Sequence, residues 1–200
     1  MSLPPLLDLT ADPFVLFSHW LEEAAKSEPN DPNAMAVATA TPDGRPSVRM
    51  LLLKGFDERG FVFYTNLNSR KGQELLANPF AALLFHWKSL KRQVRIEGAV
   101  SQVSPAEADE YFASRSHTSR LGAIASNQSH PLDHRETFEG RLKALELEYQ
   151  DKPIPRPQNW HGFRVKSETI EFWQDRPFRL HDRAVWTLTE KKWTVTRLYP

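Results

Sequence analysis

The sequence predicts a mainly β chain of the α+β kind, an antiparallel barrel or closed sheet with peripheral helices. Three observations carry that expectation: the strand-like runs are short and mostly joined as hairpins, the helical runs arrive in groups, and no Gly-x-Gly-x-x-Gly follows a strand. A doubly wound α/β fold with a dinucleotide site is therefore disfavoured.

The chain has 200 residues, enough for a single domain over 1–200 that buries about seven tenths of its unfolded surface. Residues 1–11, rich in Pro and Leu, read as irregular. Asp12-Pro13 opens a helix over 12–26 with Phe14, Phe17, Trp20 and Leu21 on one stripe. Asn30 to Asn33 is a turn, Ala34 to Ala40 a small apolar strand, and Pro42-Asp43-Gly44 turns the chain into a strand ending at Lys54. Gly55 to Gly60 reads as a turn, with Phe61 to Thr65 as the return strand of a hairpin. Ser69 caps a helix to about Ala77, Asn78-Pro79 stops it, and Phe80 to Trp87 follows as a buried strand. Arg92 to Val100 alternates cleanly, with Val94, Ile96, Gly98 and Val100 on one face.

Ser104-Pro105-Ala106-Glu107 is a capping box with Pro at the first helical position, so a helix is expected from Pro105 to Ser114. Leu121 to Ala125 suggests a short helix, and Leu132 to Gln150 a charged one with Phe138, Leu142, Leu145 and Tyr149 as its stripe. Asp151 to Asn159, with three prolines, is a loop or arm. The C-terminal part, 160–200, reads as strands: Trp160 to Val165, Thr169 to Gln174, Arg183 to Leu188 and Trp193 to Leu198, the last two joined at Glu190-Lys191-Lys192.

Composition removes several kinds of chemistry. There is no cysteine, hence no thiol catalysis, disulfide or thiolate metal site. The seven histidines show no pair at metal-ligand spacing on a predicted helix, and neither Gly-x-Ser-x-Gly nor His-Glu-x-x-His occurs. Net charge is +1, so the molecule as a whole has no case for gripping nucleic acid, although Lys88 to Arg95 beside Trp87 is a local basic run. Residues 1–8 lack the basic region and apolar core of a signal peptide, and no run suits a membrane span. A cytoplasmic protein with no membrane or nucleic-acid partner is the expectation.

The basic residues fall into local groups. At Ser69-Arg70-Lys71 two cations occupy the first helical turn, against the sign the helix dipole prefers, unless an anion binds there and meets free N–H groups, dipole and cations together. The alternative is two solvated surface cations. Tyr111 and Arg115, four apart, with Ser119 and Arg120 following, form a second hydroxyl-and-cation group suited to phosphate. In Arg179-Leu180-His181-Asp182-Arg183, extended geometry puts Arg179, His181 and Arg183 on one face, fit either for an electron-rich ring and a mobile proton or for guarding a sheet edge. Trp173 is either core or a flat wall for a ligand.

Taken together, Arg49 to Gly55, Phe61 to Asn66, Ser69-Arg70-Lys71, Arg92 to Gly98, Tyr111 to Arg115, Gln128-Ser129 and Ile170 to Arg183 resemble the pyridoxine/pyridoxamine 5′-phosphate oxidases, over nearly all of 12–200 and in the same order. The resemblance implies an FMN-binding split β-barrel, active as a homodimer with the flavin at the subunit interface. It implies FMN contacts from Arg49, Met50, Leu51, Leu52, Leu53, Lys54, Tyr64, Thr65, Arg70, Lys71, Gln93, Gln128, Ser129, Trp173 and Arg183. Lys54, Tyr111, Arg115 and Ser119 would meet the substrate phosphate. Arg179, Leu180 and His181 would lie at the substrate, with Arg179 and His181 as the catalytic pair over its ring. The implied reaction oxidises C4′ of pyridoxine or pyridoxamine 5′-phosphate by hydride transfer to the flavin, with O2 as acceptor. Pyridoxal 5′-phosphate and hydrogen peroxide result, with ammonia from the amine. Another substrate on the same flavoprotein scaffold, or a non-catalytic carrier of FMN or pyridoxal phosphate, are the competing readings.

Three departures from the family pattern stand out. Its members often begin with a longer basic, tyrosine-containing arm, whereas this chain starts just before Asp12-Pro13-Phe14. Ile124 stands where tryptophan is common, and His161 where glycine is common. Neither residue belongs to the implied ligand sets, so altered packing is expected, with the chemistry retained.

Overall fold

A computed structural model describes residues 5–200; positions 1–4 of the expected irregular segment lie outside the described residues. Among the described residues, nine strands form one antiparallel sheet. Its main path, in spatial order, is β2 (Pro46–Leu52), β1 (Ala34–Ala40), β5 (Phe80–Trp87), β6 (Arg92–Gln102), β7 (Trp160–Gln174), β4 (Gly60–Asn66) and β3 (Gly55–Asp57). Two further strands, β8 (Asp182–Thr189) and β9 (Lys192–Leu198), continue from the far end of β7.

This order forces closure. β2 and β3 are opposite ends of the path, yet only Leu53 and Lys54 separate them in sequence. The sheet must curl until its edges meet, and the seam is marked by the Lys54 N–H donating to the Val62 carbonyl at 2.9 Å. Two expectations are corrected here. Gly55–Asp57 is a strand, with only Glu58 and Arg59 left as the turn, and β2 pairs with β1 instead of forming a hairpin with β4. Hairpin logic assumed that strands adjacent in sequence pair, whereas a closing barrel hands the chain from one edge to the other.

Helix α1 (Pro13–Ser27) closes one end of the barrel, begun by the Asp12 carboxylate accepting from the Phe14 and Val15 N–H groups. Phe17 is fully buried and meets Phe56, Phe61 and Phe85 edge-on at 4.9 to 5.1 Å. Each such aromatic contributes about 2 to 3 kcal/mol by burial. Trp87 lies in the same core and its Nε1 donates to the Pro32 carbonyl, while Arg95 pairs with Glu97 and Glu171. The local basic run thus loses its aromatic platform for nucleic acid. Residues 5–11 form no helix or strand but are tied down: the Leu7 N–H donates to Asp182 and the Trp186 Nε1 to the Ala11 carbonyl.

The segments expected as strands from Trp160 and from Thr169 are one strand, β7, fifteen residues long. The polar residues at 166–168 read as a break. In the fold Glu97 faces Thr169 and Gly98 faces Ser167, so Glu168 is the extra, bulged residue of β7, and a Cβ on the facing Gly98 would stand 1.9 Å from the Lys166 carbonyl oxygen. Helix α2 (Arg70–Ala77) and helix α3 (Pro105–Ser114) start at Ser69 and Ser104 as expected, the latter with both halves of its capping box. Helix α4 (His117–Ala125) starts four residues before the expected Leu121, because Ser116 caps it. Helix α5 (Arg135–Glu148) is shorter than 132–150 and buries no residue fully; Phe138, Leu142, Leu145 and Tyr149 are half-buried.

Candidate functional site

Where the seam brings the end of β2 against β4, α3 and α4, a cavity of about 620 Å³ opens, within the range usual for small-molecule sites. Leu51, Leu52, Lys54, Tyr64, Thr65 and Gln128 of the expected flavin set line it. So do Tyr111, Arg115 and Ser119 of the expected phosphate set. Two residues of the expected run point elsewhere: Leu53, just past β2, is buried in the core and Met50 is exposed on the outer face. Ser129 is exposed, with its backbone in the left-handed region at φ 70°.

One wall is a stack of three rings. Tyr64 lies 4.1 Å from Tyr111 and 5.2 Å from Trp160, nearly parallel to both. The Arg115 guanidinium sits 5.0 Å over Trp160, and Lys54 lies 6.0 Å from the Tyr111 ring centre. Arg115 is the cap residue just past α3, in extended conformation, instead of a member of its last turn. Burial lowers its pKa, and its Nη1 is enclosed with no hydrogen-bond partner among the described residues. Arg49, Arg59, Arg70, Arg92, Arg95, Arg135, Arg156, Arg164, Arg183 and Arg197, by contrast, each face a carboxylate. Arg115 is a cation held ready by an aromatic face, with its charge unspent.

Beside the cavity, at the start of α2, Lys71 is buried. Its Nζ donates to Thr65 Oγ1 (3.1 Å), Ser69 Oγ (3.2 Å) and Gln128 Oε1 (3.0 Å). Desolvation, helped by nearby Arg49, lowers its pKa to about 8. The solvated-cation alternative therefore fails for Lys71, although Arg70 is 62% exposed on its side chain. Gly72 lets the first turn of α2 lie against the end of β4 and the loop after it, because a Cβ there would stand 2.4 Å from the Leu67 carbonyl oxygen.

The remaining expected residues form a second group. Gln93, Trp173 and Arg183 sit side by side across β6, β7 and β8. The His181 ring lies 4.5 Å from Trp173, and its Nδ1 is 3.1 Å from Asp175. The extended Arg179-His181-Arg183 row is corrected: Pro177–Arg179 is a 3-10 turn, with Phe178 and Arg179 at φ 58° and 62°. Arg179 and Leu180 are exposed, Arg183 pairs with Glu171 on the strand, and His181 turns to Asp175 instead. Trp160, at the cavity, and Trp173 are opposite ends of β7. At about 3.3 Å per residue, they stand about 40 Å apart along the strand. One copy of the chain does not bring the two groups together.

Trp160 and Glu74 were not singled out from the sequence. Trp160 reads there as one more strand tryptophan, and its only signal is the start of the strand after a proline-rich loop. Of the departures, Ile124 is half-buried in the cluster with Phe112 and Trp160, and His161 is buried opposite Thr65. Both are packing positions.

A curled antiparallel sheet with a cation-lined cavity at its seam defines the flavin-binding split barrels, and a flavin is the cofactor that follows. Residues 21–149 match the family model described as pyridoxamine 5′-phosphate oxidase, and 160–200 match the pyridoxine 5′-phosphate oxidase C-terminal dimerisation region. The chain belongs to the pyridoxamine 5′-phosphate oxidase family. It is 76% identical to the pyridoxine/pyridoxamine 5′-phosphate oxidase of Gluconobacter oxydans over 100% of both chains. With that of Rhodospirillum rubrum it shares 62% identity over 94% of this chain and 96% of the relative. Among solved structures, PhzG from Burkholderia lata, in complex with tetrahydrophenazine-1-carboxylic acid, superposes with a TM-score of 0.89 at 33% identity, covering 94% of this chain and 93% of that one. An FMN-binding, pyridoxamine 5′-phosphate oxidase-related protein from Nostoc punctiforme gives 0.78 at 18% identity, covering 95% and 99%, a likeness of fold.

Proposed function

We propose that the chain is an FMN-dependent oxidase converting pyridoxine and pyridoxamine 5′-phosphate to pyridoxal 5′-phosphate, with O2 as acceptor and hydrogen peroxide as product, and ammonia from the amine. Family membership and the near relatives support the activity. The observation that carries the site assignment is the separation of two ligand-suited groups at opposite ends of β7. Two copies related by a two-fold axis remove the separation, each cavity being completed by the far end of the other chain's β7. The match of 160–200 to a dimerisation region supports that arrangement. So does the outer sheet face, where Val48 and Met50 are 67% and 62% exposed beside the alanines of β1.

The residues present suit the cofactor: Lys71 is buried without a carboxylate partner among the described residues, and Arg49 and Arg70 stand beside it, so a phosphate group finds charge already desolvated. FMN, when bound, supplies the two-electron acceptor. Lys71 and Arg70 would hold its phosphate, Arg49 adding charge beside them from a guanidinium turned inward, with Thr65 and Gln128 fixing the Lys71 ammonium. Leu51 and Leu52 shape the rest of its seat, with Tyr64 and Ser129, Met50 and Leu53 would contribute only the strand's backbone, and the far group Gln93, Trp173 and Arg183 covers it from the second chain. Arg115, Ser119, Tyr111 and Lys54 would receive the substrate phosphate and so fix where its ring lies. Arg179 and His181, with Leu180, close over the substrate ring, and His181 takes the proton released as the alcohol or amine is oxidised. The chain acts as one domain, since one sheet takes all its described strands. Its place in the cytoplasm is the expectation drawn from the sequence; among the described residues no helix is long and apolar enough to cross a membrane.

Aerobic incubation of purified protein with FMN and pyridoxine 5′-phosphate tests the reading. Peroxide and aldehyde should appear together in equal amounts. A yellow protein that forms neither would be a carrier, and one that oxidises only unphosphorylated rings would act on another substrate.

A further inference from the structure

Glu74, one turn into α2, has a carboxylate that is only 4% exposed. It accepts from the hydroxyls of Ser47 (2.5 Å) and Thr39, and from Arg70 Nε (2.8 Å), and lies 3.5 Å from Arg49 Nη2. Burial alone would raise its pKa; the donors outweigh burial and hold it at about 2. A buried carboxylate in this position is unexpected, for it stands among the three cations offered to an anion.

We propose that Glu74 is the positioning residue of the flavin phosphate seat, fixing Arg49 and Arg70 on either side of it and setting its charge. This inference rests on the FMN reading above. Arg49 is spent inward on the Val37 carbonyl, Thr39, Ser47 and Glu74, so its guanidinium has one orientation. Arg70 is the opposite case: a long, mostly exposed side chain whose Nε is tied to Glu74 while its two terminal nitrogens stay available. Without the tie it would sample many rotamers and lose that freedom on binding. Three cations and one carboxylate leave two net positive charges, matching a phosphate monoester that carries about −1.5 to −2 at neutral pH. Glu74 does not touch the reacting atoms; it acts through the arginines.

The test compares two flavins that differ only in the phosphate. Apo-protein is titrated with FMN and with riboflavin, following flavin fluorescence, for the parent chain, Glu74→Gln and Glu74→Asp. Glu74→Gln should lose about tenfold in FMN affinity, the scale of unpinning one arginine, and leave riboflavin affinity unchanged. Glu74→Asp, which keeps the charge, should recover part of the loss. Equal loss for both flavins would make Glu74 merely structural and overturn the proposal. Unchanged or tighter FMN binding by Glu74→Gln would overturn it from the other side, the carboxylate then being a competitor of the phosphate. A parent chain that binds both flavins alike would instead sink the phosphate seat itself, a failure visible before any variant is made.

Discussion

Lys71 is a cation that the fold makes uncomfortable. Its lowered pKa of about 8 comes from desolvation first and from Arg49 second, and an incoming phosphate reverses both by restoring charge balance. FMN binding should therefore take up a proton at alkaline pH, and the association constant should fall as pH rises above 8. Titration at pH 7, 8 and 9 checks this, and Lys71→Ala should both weaken binding and flatten the alkaline limb. Glu74 has the opposite sign: its pKa is lowered from 4.5 to about 2, so its contribution to stability is full above pH 4.5 and lost as pH falls toward 2. Glu74→Gln should lower stability at pH 7 by about 2 to 3 kcal/mol and little at pH 2, read from urea midpoints. The cations here were legible in the sequence because they break the helix-dipole rule. Glu74 was not, since a glutamate inside a helix is unremarkable until its partners on β1 and β2 are known.

At the level of elements, local signals succeeded wherever chemistry is local. Ser104 with Glu107 placed α3, and alternation placed β6 and its buried Val94, Ile96 and Val100. The errors lie where distant chain decides: Gly55–Asp57 becomes a strand because β4 offers it a ladder, and 166–168 stay in β7 because a bulge at Glu168, opposite Gly98 of β6, keeps the ladder running on both sides. The bulge is a specific liability. Gly98→Ala should cost about 2 kcal/mol or more, because the new Cβ meets the Lys166 carbonyl oxygen and neither backbone can retreat without breaking the ladder. Thermal or urea unfolding measures this, and an unchanged midpoint would mean the bulge absorbs a side chain. The turn at 177–181 escaped the sequence for another reason: the extended geometry assumed for the row is prevented when Phe178 and Arg179 both take left-handed backbone after Pro177.

For the molecule as a whole, the strand order explains why so much of the candidate site was readable yet no single copy assembles it. Closure at Leu53-Lys54 builds one group at the seam, and the length of β7 carries the other away. Resemblance to the family supplied the residues, and the register sets them at opposite ends of β7, which is the ground for proposing their division between two chains. That division is the central claim, and subunit complementation tests it directly. Arg115→Ala removes a seam residue and His181→Ala a far-end residue, so each homodimer should be nearly inactive with FMN still bound. In a hybrid of the two, one site carries both lesions and the other none. Random reassortment of the two inactive proteins should restore about a quarter of the parent activity, the expectation for one intact site in half of the dimers. No recovery, with hybrids shown to have formed, would mean that both residues serve the same site from one chain.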